Sequence, residues 1–314
     1  MSTRAARLVE HGKPLRVEEV DLDPPTEDEA LVEMLYAGVN PVDRYNALGR
    51  VNHEVPLPRT LGMEGVGTHE GRTVLVHGHG LGTDCNGVWS TRAVVPAEAL
   101  IHVPDGISPE DAAVMGIAGV TAWRTVTELA RVTASDRVLV LGAGGGVGSI
   151  VVSVAHATGA EVWGQSGNPA KEDWIRELGA DHVLICDAGG LGPALGDFTP
   201  TVTIDPLGGA FTGAAVMSME TYGRLVIFGT SADASGTVPL QDFYRKGLTM
   251  YGYAGLQTPD HVMADRIADA LDALASGRLR VTVDSVLGLE DVNTAFERLS
   301  DRAVRGNLIL SLST

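Results

Sequence analysis

Two cysteines in 314 residues, Cys85 and Cys186, are too few for a disulfide framework or a four-cysteine zinc lobe. Positive charge is scarce as well. Lys and Arg number 23 against 40 Asp and Glu, a formal net charge of −17, and no basic stripe suited to nucleic acid occurs. We read that acidity as a solubility property. No apolar run approaches the length that spans a bilayer, and Met1 to Glu10 lacks the apolar core of a signal peptide. The expectation is a cytoplasmic chain with neither nucleic acid nor membrane as partner. Aromatic residues make up only 5%, and the phosphate-binding pattern G-x-x-x-x-G-K-[ST] is absent, which disfavours a nucleoside triphosphatase.

What the chain does have is glycine, 39 of them, as α/β proteins with many tight turns do. The length suits two domains. Up to about residue 105 the pattern is short strands broken by Pro24-Pro25, Pro56, Pro58, Pro96 and Pro104. Leu31 to Tyr36, Thr73 to Val76 and Trp89 to Val95 are strand candidates. Ser108-Pro109-Glu110-Asp111 reads as a helix start. From Arg137 strands and helices alternate: strands at 138–141, 161–164, 183–185, 202–204 and 225–228, with helices between them. That alternation predicts a parallel, right-handed sheet. Beyond Gly255 come a helix over 261–276, a strand near 281–283, a helix over 289–299 and a strand over 307–312. Leu248 to Ala254 reads as an apolar edge strand that invites pairing.

The feature that points to chemistry is the turn Gly142-Ala143-Gly144-Gly145-Gly146-Val147-Gly148, between an apolar strand and a helix with Val147, Ile150, Val151 and Val154 at helical spacing. Glycines there let backbone N–H groups approach a pyrophosphate, and the helix turns its positive end to the same anion. NAD sites place an acid at the end of the next strand for the ribose 2′-hydroxyl. Here that stretch is Gln165-Ser166-Gly167-Asn168-Pro169-Ala170-Lys171, with a hydroxyl on Ser166, a positive charge on Lys171 and no acid before Glu172. The expected cofactor is NADPH.

Ala37 to Asp43, Leu61 to Gly67, Ala118 to Ala122 and the glycine turn, in that order, resemble the medium-chain dehydrogenase/reductase superfamily. The resemblance covers essentially the whole chain and is nearest to the zinc-free, zeta-crystallin-like quinone oxidoreductases and the related enoyl reductases. It implies an α/β fold with a doubly wound Rossmann sheet, residues 119–255, inserted into a GroES-like β-barrel catalytic domain, residues 1–118 and 256–314, and a cofactor in the cleft between them. It also implies site residues. Asn40, Asp43 and Tyr45 match the segment lining the nicotinamide and substrate, with Asn40 and Tyr45 as catalytic candidates. Thr121 matches a threonine on the nicotinamide, Lys171 and Arg302 match the 2′-phosphate site, and Gly229, Thr230 and Ser231 match the turn over the cofactor. Relatives dimerise through the segment 248–254, so a homodimer is expected.

The departures narrow the chemistry. Zinc alcohol dehydrogenases of this superfamily carry cysteine where Asn40 stands and histidine where Met63 stands, so no catalytic zinc is expected. His77, His79 and Cys85 have no standard metal spacing and read as a glycine-rich loop. A proton-donating tyrosine of polyketide enoyl reductases falls at Val51, which leaves the general acid unassigned. The function expected is hydride transfer from NADPH to a conjugated carbonyl, a quinone or an enone. An enoyl thioester of acryloyl-CoA, crotonyl-CoA or polyketide type is the alternative, and a non-catalytic NADPH-binding protein is the reading from another class.

Overall fold

The computed structural model describes residues 1–301 and 303–313, and the chain divides into two units. The first comprises residues 1–120, 258–276 and 282–314, and the second residues 121–257 and 277–281. The parallel sheet is thus inserted into the other unit.

The second unit is a six-stranded, all-parallel sheet: Arg137–Val140, Glu161–Ser166, His182–Ile185, Val202–Asp205, Arg224–Ile227 and Thr249–Gly252. Counted one to six along the chain, their spatial order is three, two, one, four, five, six. Strand order reverses between Arg137–Val140 and Val202–Asp205, and ligands of such sheets bind outside the carboxyl ends of the strands at that reversal. After Arg137 the central strand is short and apolar, with Val138, Leu139 and Val140 fully buried, as a strand covered on both faces requires. The helix Gly146–Ala157 buries Ile150, Val151, Val152 and Val154, so it is held by packing. Thr249–Gly252 forms one edge of the sheet, as its apolar pattern predicted.

The first unit holds a three-stranded sheet and a larger, mainly antiparallel one. Its central element is the long strand Glu29–Val39, which turns Ala30, Val32 and Met34 into the core and pairs with Glu64–His69, Arg92–Pro96 and Asn307–Ser311. Residues 39 and 308 are therefore neighbours in one sheet. Trp89 is fully buried, and its indole N–H donates to the Gly38 carbonyl at 3.1 Å. Several elements departed from sequence expectation, among them a strand expected over Trp89 to Val95 that begins only at Arg92. A helix, Pro41–Ala47, forms where prolines suggested loops, because Pro41 sits in its first turn, where proline is tolerated. The strand expected near 281–283 begins at Val283 instead and runs to Gly288. Ser108 caps its helix as predicted, accepting from the Asp111 N–H at 3.1 Å. Among the described residues no helix is long and apolar enough to cross a membrane.

Candidate functional site

In the second unit the candidate residues gather at the carboxyl ends of the strands. The glycine turn leaves the strand Arg137–Val140, with Gly142 in the left-handed region at φ 60°. A side chain on Gly148 would put its Cβ 2.2 Å from the Gly142 carbonyl oxygen, so the helix can start this close to the turn only with glycine there. Gly145 is the N-cap and supplies no side-chain cap, which leaves the first N–H groups of a twelve-residue helix open to an anion. Gly144, Gly146 and Val147 complete the turn. These features fit a dinucleotide pyrophosphate.

The turn is pinned by residues from the next strand and beyond it. The Gln165 side chain accepts from the Gly142 N–H at 3.0 Å and donates to the Cys186 carbonyl at 2.6 Å. Sequence reasoning noted Gln165 only as a non-acid. Lys171 is buried at 6% exposure, and its ammonium donates to the Gly144 carbonyl at 2.8 Å. Ser166 is buried at the strand end, its hydroxyl accepting from the Asn168 N–H at 3.1 Å. Gly229, Thr230 and Ser231 follow Arg224–Ile227, and the Ser231 hydroxyl donates to the Pro206 carbonyl at 3.1 Å. Thr121 is buried on the helix Val120–Arg124 beside the phenol of Tyr253, whose hydroxyl is buried without a regular hydrogen bond. Burial raises the Tyr253 pKa, so that phenol keeps its proton. Arg302 lies outside the described residues.

In the first unit the candidates surround a buried carboxyl that sequence reasoning did not single out. Asn40 caps the helix Pro41–Ala47, and its backbone N–H donates to Asp43 Oδ2 at 2.8 Å. Its side-chain amide donates to Glu64 Oε1 at 2.6 Å, and Glu64 Oε2 accepts from the Ile117 N–H at 2.8 Å. Glu64 and His77 face one another across paired strands. Burial dominates all three ionisable groups here. It pushes Glu64 up to about 8 and Asp43 up to about 7, and it pushes His77 down to about 4. Hydrogen bonds from Asn40 and from the 116–117 backbone hold the Glu64 value below what burial alone would give. The signal in the sequence was an acid inside the otherwise apolar and glycine stretch Leu61 to Gly67. Tyr45 lies on the same helix as Asp43, half-buried, with no hydrogen bond to its hydroxyl among the described residues.

The donor set does not fit a catalytic zinc. Asn40 gives its amide N–H to Glu64, and Met63 offers a buried thioether in place of an imidazole. His77 ends the strand Arg72–His77, His79 lies in the following turn beside Asp260, and Cys85 is exposed. Among the described residues no three His, Cys, Asp or Glu side chains gather into a metal site.

The buried carboxyl has a pH signature. Between its usual value of 4.5 and its folded value of about 8, Glu64 holds a proton in the folded chain that the unfolded chain has lost. Its contribution to stability therefore falls as pH rises through that window. His77 acts oppositely: between about 4 and 6.5 the unfolded chain holds the extra proton, and stability rises with pH. Subtracting the melting temperature of Glu64→Gln from that of the parent isolates the carboxyl. The difference is expected to decline from about pH 5 to about pH 8, and a flat difference contradicts the burial argument.

Comparison with known proteins agrees with this geometry. Residues 146–276 match the family described as zinc-binding dehydrogenase. Over 301 residues the chain is 28% identical to the putative quinone oxidoreductase YhfP of Bacillus subtilis, covering 91% of each. The structure of that protein with NAD bound superposes with a TM-score of 0.85 at 25% identity, covering 99% of this chain and 100% of that one. Mycobacterial Rv1454c complexed with NADPH gives a TM-score of 0.86 at 25% identity, covering 98% and 99%. A mycocerosic acid synthase-like polyketide synthase of Mycolicibacterium smegmatis is 30% identical over 290 residues, which is 88% of this chain but 14% of that one. With its inserted Rossmann sheet, its glycine turn and these relatives, the chain is similar over nearly its whole length to the medium-chain dehydrogenase/reductase superfamily, and within it to the zinc-free quinone oxidoreductase-like branch.

Proposed function

We propose that this oxidoreductase uses NADPH to reduce a conjugated carbonyl compound, a quinone or an enone, without a metal. The observation that carries the reading is the pairing of an open glycine turn with a strand end that bears Ser166 and no acid. A 2′-phosphate is repelled by an acid at that place and meets none here. The Lys171 ammonium, held at the turn, adds positive charge beside it. Arg302 is the second phosphate contact in this proposal.

Bound NADPH supplies the hydride, which goes to the electron-poor carbon of the acceptor. The chain's own residues do the rest. The turn residues Gly142 to Gly148, with Thr121, Ser166, Gly229, Thr230 and Ser231, hold and orient the cofactor. Negative charge then gathers on the acceptor's oxygen, where the remaining N–H of the Asn40 amide can donate. Tyr45, whose hydroxyl has no hydrogen bond among the described residues, or water supplies the proton to the reduced acceptor. Conjugation spreads the developing charge, which is why an amide can serve where a simple aldehyde needs zinc. Enoyl thioesters share this chemistry, and the similarity to a polyketide synthase segment favours including them.

The edge strand Thr249–Gly252 leaves one side of the sheet unpaired, and exposed Leu240, Tyr244 and Tyr222 precede it in the chain. A homodimer paired along this edge covers it. Free Cys85 and Cys186 suit a reducing cytoplasm, where we place the protein.

Steady-state NADPH oxidation against a panel of quinones, enones and enoyl thioesters is expected to show turnover with at least one class. No turnover with any of them, in protein that binds NADPH, rejects the reductase reading. Lys171→Ala is expected to weaken NADPH binding by about tenfold or more, and NADH binding by clearly less. Equal losses would assign the lysine to the turn alone, through its bond to Gly144. Light scattering is expected to return a dimer, and a monomer would refute the edge pairing.

A further inference from the structure

We propose that Glu64 is a positioning residue for the reduction: its carboxyl dictates which end of the Asn40 side-chain amide faces the acceptor. This rests on the reading above in which Asn40 touches the acceptor's oxygen.

The argument starts from a group that cannot rotate. The Ile117 N–H belongs to the backbone, in the first turn of a helical run that continues through Met115–Gly119, Val120–Arg124 and Thr125–Leu129. It donates to Glu64 Oε2 at 2.8 Å and so sets the orientation of the carboxyl. A helix N-terminus also favours negative charge near it. Two glycines then close the carboxyl in. A Cβ on Gly38 would lie 2.3 Å from Oε1, and one on Gly116 would lie 3.0 Å from Oε2 and 3.2 Å from His77 Nδ1. Glu64 thus packs against bare backbone on both sides, with no room to swing.

With the carboxyl fixed, Oε1 stands in one place, and the Asn40 amide meets it there at 2.6 Å. An asparagine amide has two ends of similar shape and opposite hydrogen-bonding character. Turned round, Asn40 would set its own oxygen against Oε1, two acceptors face to face at hydrogen-bond distance. The carboxyl therefore selects the orientation that spends one amide N–H inward and leaves the second N–H for another acceptor. Glu64 is fully buried, and among the described residues none of its hydrogen-bond partners is a cation. Burial alone would make so costly a residue poor packing material, whereas two donors at set positions require a two-oxygen acceptor. Burial keeps the group protonated near neutrality, and His77 Nδ1, which is sealed and has no regular hydrogen bond among the described residues, flanks the same glycine. The selection holds for the carboxylate and for a carboxyl protonated on Oε2, the oxygen that shares the Gly116 side with His77 Nδ1: Oε1 then stays an acceptor only, and Oε2 keeps a lone pair for the Ile117 N–H.

Glu64→Gln replaces one acceptor oxygen with an NH2 that must face either Ile117 N–H or Asn40, and it frees the Asn40 amide to turn. The test is a double-mutant cycle with Asn40→Ala on the full chain, reading kcat for the best acceptor and the NADPH dissociation constant separately. Glu64→Gln is expected to lower kcat about tenfold or more while NADPH affinity stays within about twofold. In the double variant kcat should fall no further than in Asn40→Ala alone, because the two residues act as one unit. Losses that multiply, or a Glu64→Gln enzyme with unchanged kcat beside a slow Asn40→Ala enzyme, overturn the inference. Unchanged kcat in Asn40→Ala overturns instead the assignment of Asn40 to the acceptor. Should Glu64→Gln not fold, the parent protein still answers. The Asn40 side-chain amide signal, identified by its loss in Asn40→Asp, is expected to exchange with deuterium at least about tenfold more slowly than an exposed asparagine amide. Exchange at the exposed rate overturns the inference.

Discussion

A carboxyl shut away from water has to be met by donors on both oxygens, and in the first unit that single demand organises the candidate site. Glu64 takes one donor from the helical backbone at Ile117 and the other from Asn40. Asn40 in turn caps its own helix and gives its backbone N–H to Asp43. Three segments distant in sequence are tied together, among the described residues, without a cation. Arg59 obeys the same logic with the sign reversed. Its buried guanidinium donates to the Thr83 carbonyl at 2.6 Å and to Asn46 Oδ1 at 2.7 Å, binding the loop 78–85 to the helix Pro41–Ala47. Buried charge costs most where it is left unmatched, so each of these groups commits its neighbours to fixed positions.

The second unit solves a different problem. Its glycine turn must leave N–H groups unspent for an anion, yet a turn with few internal bonds is loose. Gln165 and Lys171 supply the missing rigidity from outside, each bonding a backbone group the anion does not need. The same lysine then has two duties, holding the turn and lending charge beside it. In the proposed function, specificity for the cofactor's phosphate and stability of its cradle are coupled through one side chain.

Much of this was legible in the sequence because it depended on periodicity and on backbone-permissive residues. The buried strand Val138–Val140, the turn at Gly142 and the Ser108 cap are local, and local chemistry decides them. The helix Pro41–Ala47 was not legible, since a proline both ends strands and starts helices, and only the fold shows Pro41 in a first turn. Glu64 was not legible either. Its burial is set by strand pairing with His77 and by glycines at 38 and 116, residues that no sequence window brings together. Gln165 escaped notice for the same reason, because its partner Cys186 sits on the far side of an intervening helix in the chain.

The insertion of one unit into the other has a consequence for the order in which the chain acquires structure. Residues 121–257 are nearly contiguous and hold all six strands of the parallel sheet, so a ribosome delivers that unit almost whole. The other unit waits. Its strand Glu29–Val39 leaves the ribosome before the inserted unit, while the partner Asn307–Ser311 comes only after it. Until then an inner strand of the larger sheet presents an open edge. Early emergence of sticky sheet and late arrival of its cover is the situation in which nascent chains most need protection from one another.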